Sequence, residues 1–178
     1  MRLPADAVKT RRRYDSSGRR AAAQRRRADV LDCAWAHFTA EGYAGTTVAA
    51  IAADAQVSSE MVYKAFGGKP GLVRALWDRA LGGEGPVHAE ERSDAVSSIA
   101  DDPLEVFATW ARLSTEVAPR ATPVQLLVRE AAASDPAVAL LHEELEAARL
   151  RRMAHNAKAI RRHLRPGLSV RAARDVLF

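Results

Sequence analysis

The sequence predicts an all-α protein. Apolar residues recur at spacings of three and four along most of the chain, and capping signals stand at the ends of those stretches. No alternating stretch of convincing length offers a strand. With 178 residues, 48% of them apolar and 28% charged, the chain can bury a sound core as one domain or two small ones.

Residues 1–18 contain Pro4, Ser16, Ser17 and Gly18 without apolar periodicity, which predicts a flexible basic arm. From about Arg20 to Glu41 the pattern is helical, with Val30, Leu31, Ala34 and Phe38 on one face. Gly42 is the expected stop, because a left-handed residue at a helix end suits glycine. Thr46 or Thr47 can cap the next helix through its hydroxyl, and Val48, Ile51, Ala52 and Ala55 form its inner face. Ser58 caps a second short helix that turns Val62 and Phe66 inward, with Val57 just before the cap. Gly67 and Gly68 end it. Lys69-Pro70 then opens a helix that buries Leu72, Val73, Leu76 and Trp77 and runs to about Leu81.

Residues 82–92 are glycine-rich and charged, which places a boundary between a unit at 19–82 and a second at 83–178. In the second unit, Asp102-Pro103 and Asp135-Pro136 each read as a cap followed by proline in the first helical turn. Between Leu104 and Val117 there are two apolar faces: Leu104, Phe107 and Ala111, and Val106, Trp110, Leu113 and Val117. That pattern predicts a central, surrounded helix, ended by Pro119. A further helix is expected over 123–133, with Leu126, Leu127 and Ala131, and a long one from Pro136 to about Leu164. Pro166-Gly167 breaks the run, and Ser169 starts a last segment with Val170, Ala173 and Leu177 on one side.

Charge is unevenly distributed. Residues 1–80 hold 14 Lys and Arg against 8 Asp and Glu, whereas the rest hold 13 against 14. Such asymmetry points to a polyanion as partner of the N-terminal half. No apolar run approaches the length needed to span a bilayer, and the basic N-terminus lacks the apolar core of a secretory signal. Cys33 stands alone, which excludes an internal disulfide and fits a reducing cytoplasm.

The stretch TTVAAIAADAQVSSEMVYKAF, residues 46–66, reads as helix, tight polar turn and helix, placed after a longer helix and a basic arm. That order suits a motif that lays its second helix in the major groove of DNA while the arm draws on phosphates. Ser59, Glu60, Tyr63 and Lys64 occupy the outward side of that helix. Tyr63 and Lys64 suit phosphate or base contacts, and Glu60 can accept from cytosine N4. Ser58 is chiefly a cap whose hydroxyl can also reach a phosphate. Arg25, Arg26 and Arg27 can clamp a phosphate or enter the adjacent minor groove. A generic basic DNA-coating protein is the closest rival reading. No phosphate-binding glycine loop, zinc-ligand spacing or nucleophile elbow is present, so neither an enzyme nor a cofactor is expected. His142 and Glu146 stand one turn apart, which by itself is weak ground for a metal.

Residues 27–81 resemble the DNA-binding region of the TetR family of transcriptional regulators. The resemblance is carried by Phe38, Gly42 and Tyr43, the Thr46-Thr47 start, Ile51-Ala52, Val57-Ser58 and the run Tyr63, Phe66, Lys69, Leu72. It implies a three-helix DNA-binding domain followed by a helical bundle that senses a ligand and dimerises. It also implies a homodimer on a pseudo-palindromic DNA operator, usually repressing and released by a small-molecule effector. Thr46, Thr47 and Lys69 match positions that usually hold the DNA backbone. An effector pocket is expected around Trp77, Phe107, Trp110, Arg112, Met153 and His155. The chain departs from the family pattern at Gln56, where glycine is usual, and at His37, where an aliphatic residue is common. The family normally continues beyond Phe178 into another long helix of the dimer interface, so a C-terminally truncated member is expected and its dimerisation is open.

Overall fold

A computed structural model describes residues 17–82, 87, 89–99 and 102–178. Most of the expected basic arm, and residues 83–86 and 88 of the expected connection, lie outside the described residues. Among the described residues the secondary structure is helical: α1 (Ser17–Gly45), α2 (Val48–Asp54), α3 (Ser59–Phe66), α4 (Lys69–Leu81), α5 (Ala89–Ile99), α6 (Pro103–Ala132), α7 (Pro136–Ala159), a short 3-10 turn (Arg161–His163) and α8 (Val170–Leu177). None of these helices is long and apolar enough to cross a membrane.

The first four helices follow their local signals closely. Gly42, at φ 70°, breaks the helical path inside α1 three residues before its last. Thr47 caps α2 by accepting from Ala50 N at 3.1 Å, and Ser58 caps α3 by accepting from Met61 N at 3.2 Å. Between them the chain closes a Schellman turn: Gln56 N donates to Ala53 O at 3.1 Å and Val57 N to Ala52 O at 2.9 Å. That geometry needs a left-handed residue, and Gln56 takes it with φ 54°, the one non-glycine among the described residues at positive φ.

Burial then assembles the pieces. Val30, Ile51, Val62, Leu72 and Val73 are fully enclosed, one or two from each of α1 to α4. The same core continues into the second half of α6 and the start of α7 through Val124, Leu127, Val128, Val138 and Leu141. It therefore crosses the expected boundary at residues 82–92. A smaller cluster of Val106, Trp110 and Ile160, with Val96, Leu164 and Leu177 against it, closes the far end.

Four sequence expectations change. α6 is one helix of 30 residues that runs through Pro119 and Pro123, where an end and a new start were expected. The two prolines are four apart and both exposed, so the backbone groups they disrupt face solvent, while Ala121, Val124, Leu127 and Val128 on the other side are buried. Packing of that face outweighs the proline penalty. Second, the apolar face of Leu104 and Phe107 is exposed, not surrounded, since α5 and α7 cover only the Val106 and Trp110 side. Third, α5 begins at Ala89 within the expected connection, with Glu90 and Glu91 in its first turn, where acidic residues favour a helix start. The long α7 also stops at Ala159, earlier than expected, and passes into the 3-10 turn.

Two substitutions test the local geometry with opposite signs. Gln56→Gly removes left-handed strain of about 1–2 kcal/mol and adds unfolded-state freedom of about 0.4–1 kcal/mol, so a net gain of about 0.5–1 kcal/mol is expected in urea unfolding. A Cβ on Gly71 would stand 1.5 Å from the Phe66 carbonyl oxygen. Gly71→Ala must therefore push α4 from the end of α3, and a loss of about 1–3 kcal/mol is expected in the same measurement.

Candidate nucleic-acid interface

α3 is eight residues long and is held by its inner side. Val62 is fully buried, and Met61, Phe66 and Val57 pack against the core. Its other side is left to solvent: Glu60 and Lys64 are exposed and Tyr63 is 57% exposed. Ser58 is exposed at the cap, and Ser59 is half-buried beside it. Lys64 stands in the last turn, where a cation is favoured by the helix dipole.

α1 supplies the neighbouring cations. Arg25 and Arg26 are exposed on it. Arg27 is engaged: Nη1 donates to the Ala65 carbonyl at 3.0 Å, and its guanidinium lies 4.1 Å from the centre of the Phe66 ring. It thereby satisfies a carbonyl at the C-terminal end of α3 and clamps that helix to α1. No local sequence signal marks this contact, because Arg27 and Ala65 are brought together only by the fold.

Thr47 is exposed at the start of α2. Thr46 is withdrawn as a contact residue: it is 1% exposed and its hydroxyl donates to Gly42 O at 2.7 Å, closing the break in α1. Lys69, half-buried at the start of α4, donates from Nζ to the Tyr43 carbonyl at 2.7 Å and lies 4.3 Å from the Tyr43 ring centre. The Tyr43 hydroxyl in turn donates to Asp135 Oδ2 at 2.6 Å. Burial pushes the Tyr43 phenol up, and its hydrogen bond holds the Asp135 carboxyl below the usual carboxylate range. The ammonium beside a helix N-terminus is thus answered within the chain by a carbonyl, an aromatic face and a nearby carboxylate.

His37 bridges α1 to the end of α2. Its Nε2 is 2.7 Å from Asp54 Oδ2 and its Nδ1 is 3.2 Å from Glu41 Oε1. The hydrogen bond to Asp54 raises its pKa, against the opposing effect of burial. Burial, with Asp54, Asp32 and Asp29 nearby, pushes the Cys33 thiol up as well, which disfavours a reactive thiolate.

A cavity of about 480 Å3 lies between α4, α5, α6, α7 and α8. Trp77, Trp110 and Met153 line it, whereas Phe107, Arg112 and His155 lie outside its wall. Phe107 meets the edge of Trp110 at 5.4 Å, Arg112 donates to Thr109 Oγ1 at 2.8 Å, and His155 faces Asp94 at 3.1 Å. Asn156, which the sequence pattern did not single out, also lines the cavity. Its spacing from Met153 and Ala148 on the same side of α7 was the available signal.

The fold is all-helical, with a helix-turn-helix at α2 and α3 whose outward side is the candidate nucleic-acid surface. Residues 30–76, about a quarter of the chain, match the family model for bacterial regulatory proteins of the tetR family. Among solved structures the chain is similar to the TetR-family transcriptional regulator PfmR of Thermus thermophilus, with a TM-score of 0.60 and 23% identity over 85% of this chain and 80% of that one. It is similar also to the ketosteroid transcriptional regulator KstR2 of Mycobacterium tuberculosis, with a TM-score of 0.56 and 22% identity over 85% and 77% of the two chains. A mutant HlyIIR protein gives a TM-score of 0.58 and 15% identity over 86% and 81%. At these identities the likeness is one of fold. A comparison with curated proteins found no match.

The folded pKa of His37 lies above its ordinary value near 6.5, so its contribution to stability is complete below that pH and is lost as pH rises through the folded pKa. The urea midpoint is expected to fall as pH rises from about 6.5 through the folded pKa of His37. Asp54→Asn should flatten that fall, and an unchanged slope would contradict the His37–Asp54 pair.

Proposed function

We propose that this protein is a sequence-specific repressor that binds a pseudo-palindromic operator as a homodimer and releases it when a small molecule enters the cavity behind α4. The observation that carries the reading is the division of α3. Its buried Val62 fixes the helix, while Glu60, Tyr63 and Lys64 are left outward without a structural task. Arg25, Arg26, Thr47, Ser58 and Ser59 border the same surface and supply phosphate contacts around it. Lys69 can add a phosphate to its bond with Tyr43, since an ammonium carries three donors. Arg27 acts by positioning α3.

In this reading residues 19–82 recognise DNA, with residues 1–18 as a basic arm, and residues 83–178 sense the ligand and hold the dimer. α4 links the two tasks. Trp77 and Leu81 at one end line the cavity, and Lys69 at the other abuts α3. A ligand that shifts α4 moves α3, and two α3 helices fit DNA together only when about 34–36 Å, one helical turn, or a multiple of it separates their half-sites. A coupling of about 1–3 kcal/mol between ligand and DNA suffices for 5- to 150-fold release.

Selection of bound fragments from random duplex DNA tests the reading directly. A two-fold symmetric motif is expected, with half-sites one helical turn apart. Absence of any sequence preference at moderate salt would instead establish non-specific DNA coating. With about six phosphate contacts, log affinity should fall against log salt with a slope near −5. Tyr63→Ala should weaken binding by about ten-fold on all duplexes, as for loss of a contact worth about 1–2 kcal/mol. Glu60→Gln should change which base is preferred at one position of each half-site, measured by repeating the selection.

A further inference from the structure

The near-balance of charge over the second half of the chain conceals a segregation. Residues 83–146 hold 4 Lys and Arg against 13 Asp and Glu, whereas residues 147–178 hold 9 against 1. Three of those nine cations are spent within the chain: Arg149 stands 3.7 Å from Glu146, Arg152 stands 2.7 Å from Asp94, and Arg174 pairs with Asp175. Arg162 Nε donates to the His163 ring at 2.9 Å. Lys158, Arg161, Arg165 and Arg171, with Arg151 two turns before them, are exposed, and among the described residues their side chains make no ion pair or hydrogen bond.

These cations gather where α7 ends, the 3-10 turn follows and α8 begins, and the fold sets that place apart from α3. α7 starts beside the first four helices, where Asp135 accepts from Tyr43 and where Val138 and Leu141 join their core. Its later turns wall the cavity, and Ile160 belongs to the cluster beyond it. At 1.5 Å per residue, Lys158 lies roughly 35 Å along α7 from Asp135. α3 turns its outward side away from the same core, so core and cavity separate the two basic surfaces.

The carboxylates of the helices packed against this end do not neutralise it. Asp94 is held by Arg152 and faces His155, and Asp102 caps α6 by accepting from Leu104 N at 2.9 Å. Glu90, Glu91 and Glu105 are exposed at the starts of α5 and α6 and make no ion pair with the four. Three of the four are arginines, whose planar forks fit phosphate oxygens. Between residues 158 and 171 only Pro166 and Leu168 are exposed apolar side chains, whereas a helix lying on a lipid surface buries a whole apolar face. We propose that this end of the molecule is a second nucleic-acid surface. On it Lys158, Arg161, Arg165 and Arg171 hold the phosphates of a duplex other than the one lying on α3. Contacts to phosphate alone read no sequence, so one molecule joins its operator to any second stretch of DNA.

The test fixes a biotinylated duplex to a surface, loads the intact protein on it, and offers a fluorescent duplex of unrelated sequence at about 50 mM salt. Capture of the second duplex is expected, weakening with salt at a log–log slope near −4 for four phosphate contacts. Arg161→Gln with Arg165→Gln should cut capture on the order of ten-fold and make the slope shallower by about two, with loading on the first duplex unchanged. Both side chains are exposed and unpaired, so the melting temperature should stay where it is. Arg112→Gln with Arg129→Gln removes the same charge from exposed positions of α6 and should leave capture intact, which separates contact from net charge. Absent capture would overturn the proposal. Capture equal with and without Arg161 and Arg165 would do the same, since the two α3 surfaces of a dimer would then account for it. So would loss, in that variant, of binding to anionic phospholipid vesicles or of self-association in sedimentation, with capture unaltered. Loading on the first duplex that needs Arg161 and Arg165 but neither Tyr63 nor Lys64 would sink the α3 reading and leave this surface as the DNA site.

Discussion

The packing of α4 is the constraint on which the rest of the molecule depends. Of its 13 residues, Leu72, Val73, Ala75, Leu76 and Ala80 are buried, facing α1 and α3 on one side and α6 on the other. Each large aliphatic side chain removed from water contributes about 1.5–3 kcal/mol, so this short helix carries a substantial part of the stability of both ends. Because it is embedded on two sides, α4 cannot shift within one group of helices without shifting against the other. Close packing makes such contacts stiff. The surface at α3 and the cavity at Trp77 are therefore attached to one rigid element.

A polar junction reinforces that attachment at the opposite end of α4. Lys69 is bound to Tyr43 through both the carbonyl and the ring, and the Tyr43 hydroxyl reaches Asp135, which also caps α7 by accepting from Ala137 N at 2.9 Å. Three helix ends, those of α1, α4 and α7, thus meet around one tyrosine. Arg74 to Glu144 and Arg79 to Asp32 add exposed ion pairs along the same helix, which are worth little individually. The buried aromatic and its hydrogen bonds matter more, since a buried hydroxyl without a partner is costly.

α3 itself is too short to persist alone, as helices of fewer than about 12 residues are marginal in water. It is stabilised from three directions: the Ser58 cap at its start, Val62 beneath it, and Arg27 at its end. Gly71 allows α4 to come against the Phe66 carbonyl, which fixes the angle between the two helices. These four features leave the outward residues of α3 free of structural duties, which is the arrangement recognition demands: a rigid support carrying groups not committed to holding it together.

How much of this was legible beforehand differs between local and distant features. The caps at Thr47 and Ser58, the break at Gly42 and the inward set Val30, Ile51, Val62 and Leu72 all follow from interactions between residues a few positions apart, and such interactions are written in spacing and residue type. What spacing could not reveal depends on residues far apart in the chain. The passage of α6 through Pro119 and Pro123 was decided by the burial of its other face against α4 and α7. The burial of Thr46, the clamp of Arg27 on Ala65 and Phe66, the Lys69–Tyr43–Asp135 junction and the enclosure of Asn156 likewise came from tertiary contact. Sequence determined the all-helical class and the recognition motif because backbone geometry responds to near neighbours. Only the assembled structure determined which polar groups are spent on the fold and which are left over, because that depends on what distant helices bring to them.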